Sequence, residues 1–158
     1  MPALVWSDAL KLDNPRMDAT HLEFVELLNL VKAATGDEVL SRYRRLIEHT
    51  EEHFGQEDRW MRLTGFAPEN CHQGQHRHVL QVLYEIERQL LEHQPVNLPR
   101  FADELGAWFS QHAQTMDAAL AWHLEQVGFD TETETLREAA AASLPAEPIT
   151  GCGSRSCG

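Results

Sequence analysis

Apolar residues recur with a helical period in four long segments of the chain, and short turn signals separate one segment from the next. The pattern predicts helices over about residues 18–34, 37–63, 68–94 and 99–127. Short connections between long amphipathic helices favour antiparallel neighbours. The 158 residues also suffice for one ordinary hydrophobic core. We therefore expect an all-α, up-down-up-down four-helix bundle.

The residues outside these helices predict an N-terminal arm and a C-terminal tail. Residues 1–17 include Trp6 and are expected to lie across the bundle. Beyond the fourth helix, residues 131–142 predict a short Ala-rich helix, and a loose Gly/Ser/Cys tail follows it. The expected organisation is a helical domain over residues 1–129 and a C-terminal extension over residues 130–158.

The charge balance restricts the partners of the chain. There are 13 basic and 25 acidic residues, and the net charge of -12 argues against nucleic acid and against anionic membrane. No window approaches the roughly 18 apolar residues that a membrane span needs. The N-terminus shows no signal-peptide pattern, and an odd number of three cysteines does not resemble a disulfide framework. We therefore expect a cytoplasmic protein whose cysteines are free thiols.

Histidine or a carboxylate occupies a core-facing position on every predicted helix. These residues are His21 on the first helix, His53 and Glu57 on the second, His72 and His76 on the third, and His112 and Asp117 on the fourth. A single core histidine is usually just hydrogen-bonded. A buried carboxylate without a partner costs several kcal/mol, however, and seven such groups on four inward faces predict a shared partner.

The residue types in this set restrict which metal could be the shared partner. A structural zinc site takes four protein ligands, so seven are too many for one such site and too few for two. Calcium and magnesium prefer shells of oxygen ligands. Iron suits mixed imidazole and carboxylate ligands. Five nitrogens, four carboxylate oxygens and the two contacts of one oxo or hydroxo bridge would fill eleven of the twelve positions of two six-coordinate irons. The remaining position could accept a small diatomic ligand.

The order of one histidine, then His-x-x-x-Glu, His-x-x-x-His and His-x-x-x-x-Asp, resembles the hemerythrin family in its single-domain bacterial form, over about residues 4–128. The resemblance implies two irons bridged by Glu57 and Asp117 and by an oxo or hydroxo group. The family pattern places three imidazoles on one iron and two on the other, and the second iron keeps the open position. The first three are His72, His76 and His112, and the other two are His21 and His53.

The same resemblance implies reversible O2 binding, for storage or for delivery to an oxygen-consuming enzyme, without enzymatic activity of the chain itself. A sensor of O2, nitric oxide or iron state is the alternative, and a di-iron oxidase or ferroxidase is the third hypothesis. Aromatic residues near the ligands predict a dry oxygen pocket. They are Phe24, Phe54, Trp108 and Phe109.

Several further histidines and cysteines do not fit the ligand spacing. We expect exposed side chains for His49, His78, His93 and His123. Cys71 precedes His72 but would point about 100° to one side of it, so it is expected to be a free thiol rather than a ligand. Cys152 and Cys157 are expected as thiols in the loose tail, and a redox-sensitive or metal-scavenging clip is the alternative for this pair.

Overall fold

A computed structural model describes residues 1–136 and 144–151 and confirms an all-α four-helix bundle. The helices are α1 Pro15–Ala33, α2 Glu38–Leu63, α3 Cys71–Leu91, α4 Leu98–His112 and α5 Ala118–Gln126. Helix α1 packs against α2 and α4, and α2 packs against α3. None of the helices in these ranges combines the length and the apolar character that crossing a membrane requires.

Asparagine side chains define the starts of three helices. Asn14, Asn70 and Asn97 each accept a hydrogen bond from the backbone N–H three residues later. Such caps satisfy donors that the first helical turn leaves without a partner. The third helix therefore begins at Cys71 and not at Pro68, because Asn70 provides the cap and residues 68–69 form a bend.

The predicted fourth helix contains an irregular turn. A π-helical segment over Ala113–Asp117 joins α4 to α5, so that one helical rod runs from Leu98 to Gln126 with an altered hydrogen-bond register in the middle. Single π-turns of this kind insert an extra residue and are frequent at functional sites.

The buried polar residues separate two apolar clusters. The larger cluster includes Phe24, Phe54 and Ala113, and the smaller one includes Trp60 and Leu120. His21 on α1, Glu57 on α2 and Asp117 on the fourth rod each lie between a residue of the larger cluster and a residue of the smaller one. The apolar clusters thus surround a polar layer in the middle of the bundle.

The N-terminal arm lies against the bundle as predicted. The backbone N–H groups of Ala3 and Leu4 donate to Asn29 Oδ1, at 2.7 and 3.2 Å. A short 3₁₀ turn, Asp8–Leu10, then contacts the π segment and buries Leu10. The arm passes so close to Gly106 that a Cβ there would lie 2.9 Å from the Ala3 carbonyl oxygen.

The C-terminal extension differs from its predicted structure. Phe129–Asp130 and Thr135–Leu136 form a two-stranded antiparallel hairpin. Residues 131–136, where the sequence predicts helix, are turn and strand, because their hydrogen bonds close a tight loop on Asp130 Oδ1 instead of propagating a helix. The Ala-rich part of the predicted helix, residues 137–142, lies outside the described residues.

Residues 144–151 attach to the loop between α2 and α3. The Ile149 N–H donates to the Gly65 carbonyl at 2.9 Å, and the Ile149 carbonyl accepts from the Ala67 N–H at 2.8 Å. The Thr150 carbonyl accepts from the Cys71 N–H at 2.7 Å. This part of the extension is therefore docked by backbone hydrogen bonds and does not fit the prediction of a loose tail.

Candidate metal centre

The seven polar core residues predicted from the sequence come together in the polar layer. Each is at most 2 % exposed. Helix α1 provides His21, α2 provides His53 and Glu57, α3 provides His72 and His76, and the fourth rod provides His112 and Asp117. The helical period explains this convergence, because side chains three or four residues apart share one face of a helix.

Two overlapping groups of side chains could each hold a metal ion. One contains His72, His76 and His112 with both carboxylates, and the other contains His21 and His53 with both carboxylates. Within each group the donor atoms lie within 4.8 Å of one another. We call these groups the three-histidine end and the two-histidine end, and Glu57 and Asp117 belong to both.

The donor atoms at the three-histidine end are closely spaced. His72 Nε2 and His112 Nε2 lie 2.9 and 3.0 Å from Asp117 Oδ1. His76 Nε2 lies 3.3 Å from Glu57 Oε2 and 3.2 Å from His112 Nε2. The three rings therefore direct one nitrogen each toward the same small volume.

The two-histidine end uses the other carboxylate oxygens. His21 Nε2 lies 3.2 Å from Asp117 Oδ2 and 3.5 Å from Glu57 Oε1, while His53 Nε2 lies 2.9 Å from Glu57 Oε1. Each carboxylate thus presents one oxygen to each end. That division is what a carboxylate bridging two metal ions requires.

The π segment explains how His112 and Asp117 reach one centre. Five residues apart on a regular helix, the two side chains would diverge by about 140°. The π turn lies between them, and its extra residue per turn brings them to the same side at 3.0 Å. The sequence spacing therefore required a helix distortion that the sequence alone did not reveal.

The polar atoms of the centre fit a metal ion better than they fit one another. Among the described residues, His21 Nε2, Glu57 Oε2 and both Asp117 oxygens make no hydrogen bond, although each lies within 3.5 Å of a donor or acceptor atom. Buried polar atoms without partners are costly. Polar atoms that point toward one common position, without forming hydrogen bonds to one another, are instead typical of metal ligands. Imidazole together with carboxylate suits a transition metal such as iron.

The electrostatics of the centre favour ionised carboxylates. Burial alone would raise the pKa of Glu57, but His53 and the neighbouring histidines hold that pKa well below its ordinary value. The pKa of Asp117 is likewise held well below its ordinary value, by His112 and His21 and against the effect of burial. Burial also opposes protonation of His21, but the two carboxylates outweigh it and raise the pKa of His21 to about 10.

The structure separates the four predicted pocket aromatics into two pairs. The rings of Phe109 and His21 are nearly perpendicular, with centroids 5.1 Å apart, and Phe24 packs against Phe109 at 4.4 Å. Phe54 stacks on His76 at 4.0 Å, and Trp108 stacks on His112 at 4.5 Å. The first pair lies at the two-histidine end. The second pair stacks on rings of the three-histidine end, and Phe54 also lies against His53, with ring centroids 5.2 Å apart.

Two polar residues beside the centre were not predicted from the sequence. Asp58 Oδ1 accepts a hydrogen bond from His76 Nδ1 at 2.9 Å, and Gln75 Oε1 accepts one from His112 Nδ1 at 2.8 Å. Asp58 follows Glu57 on α2, and its partner lies on α3. Only the packing of the two helices reveals the contact, and no sequence signal marked it.

Two of the four remaining histidines correct the expectation of exposed side chains. His78 and His93 are exposed, as predicted. His49 is not, because its Nε2 donates to the Thr20 carbonyl at 3.1 Å and its side chain is only 12 % exposed. His123 is half-buried, and its Nε2 donates to the Thr64 carbonyl at 2.8 Å.

Cys71 is disulfide-bonded and not the free thiol that the sequence predicted, and its partner lies outside the described residues. The physical reason is the docking of residues 144–151 beside the start of α3, which brings the C-terminal extension to Cys71. The two predicted tail cysteines, Cys152 and Cys157, also lie outside the described residues.

The fold and the centre define a class of protein: a four-helix bundle with a buried histidine and carboxylate cluster able to hold a metal. The family model described as the hemerythrin HHE cation binding domain matches residues 13–121. A bacteriohemerythrin from Ralstonia nicotianae is 37% identical over 134 residues, which are 85% of this chain and 98% of the relative. No solved structure matches the chain. The chain belongs to the hemerythrin family, a family that binds iron and O2.

Proposed function

We propose that the chain binds O2 reversibly at a non-haem di-iron centre, for storage or for delivery to an oxygen-consuming enzyme. The observation that carries the proposal is the pair of overlapping donor groups that share Glu57 and Asp117. In the proposed assignment His72, His76 and His112 hold one iron, His21 and His53 hold the other, and both carboxylates bridge them. When bound, the two irons would supply the electrons that O2 binding requires.

The donor set supports binding rather than oxidation chemistry. Five of the seven proposed ligands are imidazoles, and neutral nitrogen ligands favour the ferrous state more than anionic oxygen ligands do. A ferritin-like site would use Glu-x-x-His pairs on helices. The one such pair in the sequence is Glu69 and His72. The two residues do not lie on one helix, because Glu69 is exposed and precedes the cap of α3. We therefore infer that the chain is not an oxidase.

Phe24 and Phe109 are the residues that we propose for the wall of the oxygen pocket. Both are at most 1 % exposed, and their rings cover the two-histidine end. An apolar wall excludes water and protons from a reactive centre. Phe54 and Trp108, which the sequence also suggested, would act on the opposite side by packing against His76 and His112.

A reversible oxygenation experiment tests the proposal. The purified protein is loaded with iron, reduced without air and then exposed to O2 while its visible absorption is recorded. A charge-transfer band that appears with air and disappears under vacuum supports reversible binding. Irreversible oxidation within seconds contradicts it and favours an oxidase or a sensor, and a stronger response to nitric oxide than to O2 favours the sensor.

The location and the recipient belong to the same proposal. The strong negative charge of the chain supports a partner other than nucleic acid or anionic lipid, and we propose a cytoplasmic protein that transfers O2 to an oxygen-consuming enzyme. The Cys71 disulfide opposes this location, because disulfides are rare in reducing compartments. Fractionation of cells that express the chain should find the protein in the cytoplasm with Cys71 open to alkylation. Recovery from an oxidising compartment with Cys71 protected from alkylation would contradict the proposed location.

A further inference from the structure

The two ends of the centre differ in how the outer nitrogens of their histidines are held. At the three-histidine end, His76 Nδ1 donates to Asp58 and His112 Nδ1 donates to Gln75. At the two-histidine end, the Nδ1 atoms of His21 and His53 are buried and make no hydrogen bond to any residue that the structure describes. The difference concerns the atoms that face away from the metal position, so it is separate from the ligand set itself.

Aromatic rings, and not acceptors for Nδ1, lie beside the histidines of the two-histidine end. The His21 ring is nearly perpendicular to Phe109, and the centroid of the His53 ring lies 5.2 Å from that of Phe54 and 6.4 Å from that of Phe24. None of these contacts orients an imidazole as a hydrogen bond to Nδ1 does. On their outer side the rings of this end are therefore held by packing, since the hydrogen bond of His53 to Glu57 is made by Nε2.

Asp58 is placed to act on a ligand without being one. It lies one residue beyond Glu57, which turns its side chain about 100° around α2 and away from the centre. Its carboxylate is 23 % exposed, whereas the His76 side chain is 1 % exposed. Phe54 stacks on the face of the same ring with an interplanar angle of 4°. The His76 ring is thus held both on its face and at its outer nitrogen.

A carboxylate that accepts a hydrogen bond from Nδ1–H has two effects on a metal-binding histidine. It fixes the tautomer, so that Nε2 carries the lone pair, and it makes that nitrogen a stronger donor. Loss of such an outer partner typically reduces metal affinity by about 10–100-fold.

We propose that Asp58 is a positioning residue that makes the three-histidine end the tighter of the two metal positions, so that this end is loaded first and emptied last. The inference rests on the ligand set of the proposed function. Gln75 contributes in the same direction through a neutral hydrogen bond, which polarises His112 less than a carboxylate polarises His76.

The test measures metal release and not oxygen binding. Protein loaded anaerobically with two ferrous ions is mixed with an excess of a coloured ferrous chelator, and release is followed by absorption. The wild-type chain should release its two ions in a fast and a slow phase of equal amplitude. Asp58→Asn keeps an acceptor for His76 Nδ1 but removes the charge, and it should accelerate the slow phase by about tenfold.

Asp58→Leu removes both acceptor and charge and should accelerate the slow phase by up to about 100-fold, with the fast phase unchanged. Glu48→Gln, at an exposed position of α2, is the matched control and should release metal as the wild-type chain does. In zinc-loaded protein, NMR should show a downfield Nδ1–H proton of His76 that Asp58→Leu removes. If Asp58 had only a structural role, its replacement would not change the rate of the slow phase alone.

The outcomes separate this inference from the proposed function. Single-phase release from the wild-type chain overturns the inference, and so does a slow phase that neither Asp58 variant changes. If the oxygenation experiment still succeeds in those cases, the proposed function stands alone. Failure of the wild-type chain to bind two ions contradicts both. If Asp58→Leu does not fold, the result for the nearly isosteric Asp58→Asn decides.

Discussion

The three-histidine end and the two-histidine end share both carboxylates, yet their surroundings differ in kind. Polar acceptors and flat ring stacks hold His76 and His112. Aromatic rings lie beside His21 and His53 instead, and the Nδ1 atoms of these two histidines have no acceptor among the described residues. Polar support makes an imidazole a stronger and more rigid ligand, while an apolar wall excludes water. The comparison indicates that one end is organised for retention of a metal and the other for access of a small apolar molecule.

The largest expected effect is the removal of an imidazole from the two-histidine end. His53→Ala leaves His21 as the only histidine there, so iron content should fall from two ions per chain to one, and the oxygen-dependent band should disappear. His112→Ala leaves two imidazoles at its end and should retain a larger share of its ion. Metal analysis and visible absorption measure both variants.

His78→Ala removes an exposed histidine from α3 and serves as the control, with unchanged iron content expected. If His53→Ala keeps two irons and a normal absorption band, the assignment of the two ends is wrong.

Removal of the Cys71 disulfide tests the attachment of the C-terminal extension beside the three-histidine end. Cys71 lies next to His72, and its disulfide partner lies outside the described residues. Cys71→Ser should therefore lower the free energy of unfolding by about 2–4 kcal/mol. Thermal unfolding with and without a reducing agent measures the effect. Wild-type protein in reductant should match the variant, and equal melting temperatures under all conditions would argue against the bond.

The pH dependence of the metal-free protein tests the electrostatics of the two-histidine end. The folded-state pKa of His21, about 10, lies above the ordinary value of 6.5. Stability from this proton is therefore complete below about pH 6.5 and is lost as the pH rises toward 10. The metal-free chain should melt at progressively lower temperatures over this window, and iron loading should flatten the dependence.

His21→Gln provides the control for this experiment, because glutamine carries no titrating proton. Its metal-free form should lose less stability than the wild-type form between pH 7 and pH 9, and an identical slope would contradict the assignment of the proton to His21.

The smallest expected effects on stability come from replacing one phenylalanine beside each end of the centre. Phe109→Leu and Phe54→Leu each remove part of a ring that is at most 2 % exposed, and each should cost about 1–2 kcal/mol. Phe109→Leu should shorten the lifetime of the oxygenated protein more than Phe54→Leu does, since Phe109 lies against His21 whereas Phe54 stacks on His76 and only its side contacts His53. Equal lifetimes in the two variants would mean that both ends shield the bound oxygen.

Periodicity and residue type were enough to predict the bundle and to single out the seven residues that meet in the polar layer. Histidine and carboxylate at apolar positions are a strong signal, because burial without partners is costly. Weaker signals failed where a tertiary contact decided the outcome. His49 was expected at the surface but is mostly buried against the Thr20 carbonyl, and Cys71 was expected to be a free thiol but is disulfide-bonded.

The sequence by itself determined which side chains face the centre, since a 3.6-residue period assigns every residue to one side of its helix. Only the tertiary structure decided how they meet. The π turn that brings Asp117 to His112, the contact of Asp58 with His76, and the separation of Phe24 and Phe109 from Phe54 and Trp108 all depend on neighbouring helices. Local sequence patterns determine the direction in which a side chain points from its helix, whereas the distances between helices follow from packing.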